Sequence, residues 1–227
     1  MQGNIKASNN SQSISIKMKT LSLLLVATTI VSGATFAAQT LYKDYPADVM
    51  PELSESGEFP VGVTTMEVTY PEAAMTMEGK METRGLTLEV WYPAQKATEN
   101  TLYSDETRSG QVFEIQADAS RDVAIAESES KFPIVVVSHG YTGYRTLMYY
   151  LGEHLASHGY VVAAIDHTDS TNKDVNFAEN PYSGFPSTLL NRSRDQVFTL
   201  NAVTDSEFFN ASVDATKAGV IGYSMGG

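Results

Sequence analysis

The sequence has no cysteine. That excludes disulfide staples, a thiol nucleophile, cysteine metal sites and a lipidated cysteine, although it does not fix the redox compartment. Basic side chains are scarce: 15 Lys and Arg stand against 27 Asp and Glu, for a formal charge of −12. The scarcity is uneven. Residues 1–37 hold Lys6, Lys17 and Lys19 and no acid, so the rest of the chain carries twelve of the fifteen basic groups, all 27 acids and a charge of −15. A surface that acidic repels phosphate backbones and disfavours nucleic acid as a partner. There is no internal repeat and no long low-complexity tract. No G-x-G-x-x-G follows a buried strand, which argues against a dinucleotide site. Histidine is rare as well: His139, His154, His158 and His167 are the only four.

What is present begins with a leader. "KMK" (17–19) precedes the apolar "TLSLLLVATTIVSGA" (20–34) and the small residues of "TFAA" (35–38). This is the order of a signal peptide, with Met18 as the expected start and cleavage near Ala37 or Ala38. The apolar run is short for a membrane span. The expectation is an exported protein, periplasmic or secreted, without a stable membrane span in the mature chain. Residues 38–60 read as an acidic, Pro-containing lead-in, and 61–227 as part of one domain, long enough to bury a core.

"VGVTTMEVTY" (61–70) and "GLTLEVWYPA" (85–94) alternate apolar and polar residues, the pattern of two antiparallel strands with one solvated face. Residues 95–131 lack a clear period and read as a polar excursion with a short helix near "SRDVAIAE" (120–127). The pattern then changes. "FPIVVVSHG" (132–140) is a β-branched run suited to a strand buried on both faces, and "YVVAAID" (160–166) and "AGVIGYS" (218–224) repeat it. Between them, "TLMYYLGEHLASHG" places Leu147, Tyr150, Leu151, His154 and Leu155 at helical spacing, with Gly159 as a C-terminal cap. "LLNRSRDQVFTLNAV" (189–203) is a second helix, after a polar loop over 167–188. Strand, helix, strand, helix, strand predicts an α/β fold, a mostly parallel sheet with flanking helices and antiparallel N-terminal edge strands.

Chemistry concentrates where these strands end. "GYSMGG" fits G-x-S-x-G at Gly222, Ser224 and Gly226, straight after a buried strand. A strand-to-helix elbow holds such a serine in a strained conformation with its hydroxyl clear of the sheet, and favours glycine two residues to either side. The N–H of Met225, at the start of the following helix, is one candidate oxyanion donor. "SHGYTG" (138–143) follows the first buried strand and supplies the second, the N–H of Tyr141, whose ring can also wall an acyl pocket. Two such donors can lower an acyl-transfer barrier by about 3 to 4 kcal/mol each. A plain glycine-rich turn is the alternative.

All four histidines precede Ser224, whereas an elbow serine is followed in the chain by its acid and then its histidine. His154 and His158 are four apart on a helix but have no acid ligand placed with them, so no metal site is expected. His167 follows a strand end yet fits a structural role. "DHTDSTNKD" (166–174) lacks the spacing of a calcium loop and reads as solvated loop.

In this order, "FPIVVVSHGYTGYRT", "LASHGYVVAAIDHTDST", "NRSRDQVFTLNAV" and "AGVIGYSMGG" resemble the α/β-hydrolases grouped with bacterial platelet-activating-factor acetylhydrolase-like and dienelactone-hydrolase-like proteins. "GYT", "SMGG" and "LASHGYVV" are similar to cutinase-type polyester hydrolases as well. The resemblance covers roughly residues 59–227. It implies the N-terminal part of an α/β-hydrolase fold and a serine carboxylic-ester hydrolase without metal or cofactor. Ser224 matches the nucleophile, Tyr141 and Met225 the oxyanion donors, and a small-molecule, lipid or polymer ester is the implied substrate. The absence of cysteine disfavours strict dienelactone hydrolysis. The family's acid and histidine have no counterpart here, so the sequence is expected to be an N-terminal fragment that ends at the elbow and is inactive and poorly soluble alone. A non-catalytic relative, or an acyltransferase on the same fold, are the alternatives.

Overall fold

A computed structural model of the chain describes residues 54–107 and 109–227. The expected leader and most of the lead-in lie outside the described residues. β1 (Val61–Met75) and β2 (Met81–Pro93) form the expected antiparallel hairpin, with register running from Val61↔Pro93 to Met75↔Met81. Both strands reach further towards their shared turn than the alternation shows. Gly79 closes that turn at φ +76°, and its N–H donates to Thr76 O.

Residues 95–131 depart from expectation. They hold a second hairpin, β3 (Asn100–Glu106) and β4 (Val112–Arg121), and no helix forms at 120–127. The chain instead leaves β4 through Asp122 at φ 55°, and Ile125 bridges to Ala94. The hairpin docks through buried polar groups. Trp91 Nε1–H donates to Tyr103 Oη at 2.7 Å, and Tyr103 donates in turn to Glu153 at 3.0 Å. Glu153 also accepts from the Asp118 and Ala119 N–H groups. A buried indole and phenol thus each have a partner.

The second half follows the predicted alternation: β5 (Phe132–Ser138), α1 (Tyr149–Ser157), β6 (Val161–Asp166), α2 (Phe185–Asp205) and β7 (Val213–Gly222). Gly159, at φ +92°, caps α1 as expected. The face of α1 is rotated from the predicted one. Met148, Tyr149, Leu155 and Ala156 pack on the sheet, and Tyr150 is 56% exposed. α2 begins four residues early because Pro186 is accommodated in its first turn.

The seven strands form one sheet in the order β3-β4-β1-β2-β6-β5-β7. β6, β5 and β7 are parallel, while β2 joins β6 antiparallel. The β1–β2 pair is therefore interior, and the β3–β4 hairpin extends the sheet beyond it. At the other side, β7 is the edge strand, with residues 215–220 exposed rather than buried on both faces as its apolar run predicts, because only β5 pairs with it. The strands of the sheet centre alternate between two cores. Val161, Ala163 and Ile165 of β6 face α2 with Leu88, Tyr92 and Phe209; Val162 and Ala164 face α1 with Trp91. Each fully buried large side chain contributes about 1.5 to 3 kcal/mol by leaving water. This three-layer arrangement brings the carboxyl ends of β5, β6 and β7 together, where ligands bind in parallel α/β sheets.

Candidate active site

β7 pairs with β5 down to Ser138↔Gly222, and Tyr223 N–H then donates to Ser138 O at 3.0 Å. The chain turns sharply at Ser224, which has φ 53° and is exposed. A left-handed backbone at a residue with a Cβ costs on the order of 1 kcal/mol or more and persists only where its surroundings impose it. The glycines show what imposes it. A Cβ at Gly226 would lie 2.0 Å from Ser138 O, and one at Gly222 would lie 2.3 Å from Gly227 Cα. No other side chain fits either position. Ser224, Met225 and Gly226 form one 3₁₀ turn. So short a turn carries little macrodipole, and the case for Met225 rests on its N–H, which donates to no acceptor among the described residues.

The loop after β5 meets this elbow. A Cβ on Gly140 would touch Ser224 Cβ at 3.0 Å and the Tyr223 ring at 3.2 Å. The neighbouring Tyr141 N–H also donates to no acceptor among the described residues. Tyr141 is braced from behind: its hydroxyl donates to Pro181 O at 3.0 Å and its ring stacks edge-on with Phe185. Beside the elbow lies a cavity of about 370 Å³ bordered by Tyr141, Tyr144, Tyr223, Leu147 and, from the β3–β4 hairpin, Phe113. An exposed serine, two unengaged N–H groups on adjacent loops and a largely apolar hollow are three of the parts an acyl-transfer site uses, the general base being a fourth.

The histidines sit elsewhere. His154 lies in the last turn of α1 and His158 caps its end, just before β6 begins and opposite the end of the sheet that carries Ser224. Their rings are 4.7 Å apart, and His158 Nε2 bonds Glu55 O at 3.2 Å. His139 and His167 are buried beneath the loops. His167 Nδ1 lies 2.8 Å from Asp195 Oδ2 and its Nε2 lies 2.8 Å from Ser138 Oγ. This is the hydrogen-bond order of a Ser-His-Asp triad. Ser138 is 0% exposed, however, so no ester can reach its hydroxyl.

The loop at 166–174 is not simply solvated, as its composition suggests. His167, Ser170 and Thr171 are buried, and its acids are engaged: Asp166 with Arg145, Asp169 with Arg84, Asp174 with Thr171. Thr142 N–H donates to Ser170 O at 2.8 Å, tying this loop to the loop of Tyr141.

Two further residues, Arg84 and Asp195, are not marked by any motif in the sequence. Arg84 donates from Nε and Nη2 to the two oxygens of Asp195, each at 2.8 Å, and reaches Asp169 at 3.0 Å. Burial acts to raise the Asp195 carboxyl, but the bonds from Arg84 and His167 outweigh it and hold the carboxyl below its ordinary value. Burial pulls His167 down, and pulls His139 down to about 3, with the neighbouring His167 adding to the effect. Both rings are neutral at pH 7. Their stabilisation is complete above the unfolded value of 6.5 and is lost as pH falls through the window towards 3, where the unfolded chain binds protons that the folded chain does not. Stability measured in urea is expected to drop from pH 7 to pH 5 by up to about 1.4 kcal/mol per unit for each histidine. A flat profile would show that the folded rings titrate normally.

Comparison with known proteins fits this geometry. The family model described as platelet-activating factor acetylhydrolase, isoform II, matches residues 49–185, a stretch that contains Tyr141 and stops before Ser224. Cutinase est1 of Thermobifida alba is 29% identical over 150 residues, covering 60% of this chain and 44% of that protein. Platelet-activating factor acetylhydrolase of Canis lupus familiaris is 49% identical over 41 residues, 18% of this chain and 9% of that one. A ferulic acid esterase from Streptomyces cinnamoneus has a similar structure, with a TM-score of 0.56, 26% identity, and coverage of 74% of this chain and 53% of its own. The chain thus spans about half the length, or less, of the relatives it matches. With its family model matched over more than half of its residues, the chain belongs to the platelet-activating factor acetylhydrolase, isoform II, family.

Proposed function

We propose that the protein is an exported serine carboxylic-ester hydrolase in which Ser224 is the nucleophile. The observation that carries this reading is the conformation of Ser224: a serine at φ 53° on a glycine-walled elbow, exposed and against the Tyr141 loop. The names of the relatives, cutinase, acetylhydrolase and ferulic acid esterase, support ester cleavage as the reaction. The signal-peptide pattern within residues 1–37 supports export.

In the reaction, Ser224 Oγ bonds to the ester carbonyl carbon as its proton leaves to a general base. The carbonyl π pair moves to oxygen, and the Tyr141 and Met225 N–H groups hold that oxyanion. Collapse expels the alcohol, which takes a proton, and leaves an acyl-serine. Water then attacks the acyl carbon, and the carboxylic acid departs as Ser224 regains its proton. The cavity bordered by Phe113, Tyr141, Tyr144 and Tyr223 receives an apolar part of a small-molecule, lipid or polymer ester. None of the four histidines serves as the base in this reading. His139 and His167 are buried with both ring nitrogens engaged, and His154 and His158 are at the wrong end of the sheet.

A p-nitrophenyl alkylphosphonate tests the nucleophile directly. Protein expressed from the complete reading frame should release one nitrophenolate per chain and carry the phosphonyl mass on the peptide containing Ser224. Stoichiometric label on another residue, or no label in a protein that cleaves esters, would reject the assignment.

A further inference from the structure

A helix that packs on a sheet normally presents an apolar stripe. α2 presents a polar one: Thr188, Asn191, Arg192, Asp195 and Thr199 are its buried residues together with Val203. Burying a guanidinium and a carboxylate is costly unless both are paired and hydrogen-bonded. The ester chemistry of Ser224 uses neither, so the destinations of their bonds show what they do.

Arg192 donates from Nη1 to His139 O, and from Nη2 to Gly140 O at 3.3 Å and Ser170 Oγ at 3.0 Å. Gly140 O is also bonded by His139 Nδ1 at 2.6 Å and accepts from the Gly143 N–H at 2.9 Å, so Arg192 adds the charged member of the set. A trans peptide is planar, with its C=O and N–H pointing in opposite directions. Fixing Gly140 O therefore fixes the aim of the Tyr141 N–H, which belongs to the same peptide. Donation from a cation into that carbonyl also polarises the peptide and strengthens its N–H as a donor. One turn along, Gln196 Nε2 donates to Gly226 O at 3.0 Å, on the turn that carries Met225. Between these two grips, Asp195 holds His167, and His167 holds Ser138, whose carbonyl accepts the Tyr223 N–H at the foot of the elbow.

Resting on the reading of Ser224 as the nucleophile, we infer that Arg192 and Gln196 are positioning residues: from one stretch of α2 they set the aim and separation of the two oxyanion donors, with Asp195, His167 and Ser138 as the spacer between them. The Ser138–His167–Asp195 array is then a brace with the bonding order of a triad and no access to substrate. Arg192 stays charged in this role. Burial pulls it down only to about 10.

The test uses protein expressed from the complete reading frame, with the variants Arg192→Met, Arg192→Lys and Gln196→Leu and with Ser224→Ala as control. Active sites are counted with the phosphonate, and kcat and KM are measured on an activated acetate ester. Affinity for butylboronic acid, whose tetrahedral adduct on a serine resembles the oxyanion, is measured on the same samples. Removing a whole oxyanion donor costs on the order of 10²- to 10³-fold in kcat, so misaiming one should cost less. Arg192→Met is expected to lower kcat per counted site roughly 10- to 100-fold with KM nearly unchanged, and to weaken the boronic acid in parallel. Arg192→Lys should recover part of both. Gln196→Leu, which alters a partly exposed side chain, should show the same pattern at roughly 3- to 10-fold and decides the matter if Arg192→Met does not fold. Variants that titrate fully and keep wild-type kcat and boronic acid affinity would overturn the positioning role. Wild-type turnover by Ser224→Ala would instead overturn the nucleophile assignment, and the positioning role with it.

Discussion

Ser224→Ala is expected to lower kcat for an activated acetate ester by roughly 10⁴- to 10⁶-fold while leaving the folded protein almost as stable as before. The two halves of this expectation come from different features. The loss in rate follows from removing the hydroxyl assigned as nucleophile, which stands on the exposed elbow next to the Tyr141 loop; what remains is binding and oxyanion stabilisation of an attacking water. The small change in stability follows from the backbone. Alanine keeps a Cβ at φ 53°, so the strain is retained, and the Ser224 hydroxyl gives up no bond among the described residues. A shift of less than about 1 kcal/mol is expected. Ser224→Gly separates strain from chemistry: it should be equally inactive yet more stable than Ser224→Ala by about 1 kcal/mol, because glycine occupies φ > 0 without penalty. Retention of full activity by Ser224→Ala would end the assignment. A stability gain absent in Ser224→Gly would show that the elbow is not strained.

How far the sequence anticipates this site depends on the range over which each signal acts. The parallel strands were legible because "FPIVVVS" and "VVAAID" are apolar on both faces, which a two-faced core requires. The elbow was legible because its steric demand falls on Gly222 and Gly226, two residues from Ser224. β3 and β4 were not: burial alternates along β3, but the buried positions of the hairpin include Thr101, Asp105 and Ser120 and the exposed ones Leu102 and Val112, so hydropathy does not follow it, and their stabilising bonds run to Trp91 and Glu153 in other elements. The brace was hidden for the same reason. Asp195 is 28 residues from His167 and 111 from Arg84, distances at which no local spacing informs. One signal was available. Thr188, Asn191, Arg192, Asp195 and Thr199 recur every three or four residues in a helix that follows a strand apolar on both faces, so a polar stripe had to face something polar beneath it. Charged residues on a helix usually mark its solvated side, so such a stripe does not stand out in the sequence.

The same buried pair gives the largest expected effect on stability. Arg84→Met should destabilise the fold by about 3 to 5 kcal/mol at pH 7, because it leaves the Asp195 carboxylate at 0% exposure with His167 as its remaining partner. Methionine fills most of the volume, so the cost is chiefly electrostatic. The sign of its pH dependence follows. In the native protein the bonds to Asp195 outweigh burial and depress its carboxyl, and that stabilisation is present above the unfolded carboxylate value of 3.8 and is lost as pH falls through the folded one. Without Arg84, burial dominates and the carboxyl can be neutralised by protonation at higher pH. The gap between wild type and Arg84→Met is therefore widest near neutrality and narrows as pH approaches 4. Protonation of His139 lowers both curves over the same interval, whereas His167, freed of the Arg84 charge that helps hold it down, protonates more readily in Arg84→Met beside Asp195 and narrows the gap further as pH falls. Asp195→Asn should partly rescue Arg84→Met, since the double variant no longer buries the Asp195 carboxylate without its guanidinium, making it less costly than the sum of the two single changes by at least about 1 kcal/mol. Urea unfolding of the four proteins at pH 7.0 and 4.5 measures both quantities. Strict additivity together with a pH-independent gap would mean that Arg84 acts by packing alone and that the carboxylate beneath the Tyr141 loop is stabilised by other groups.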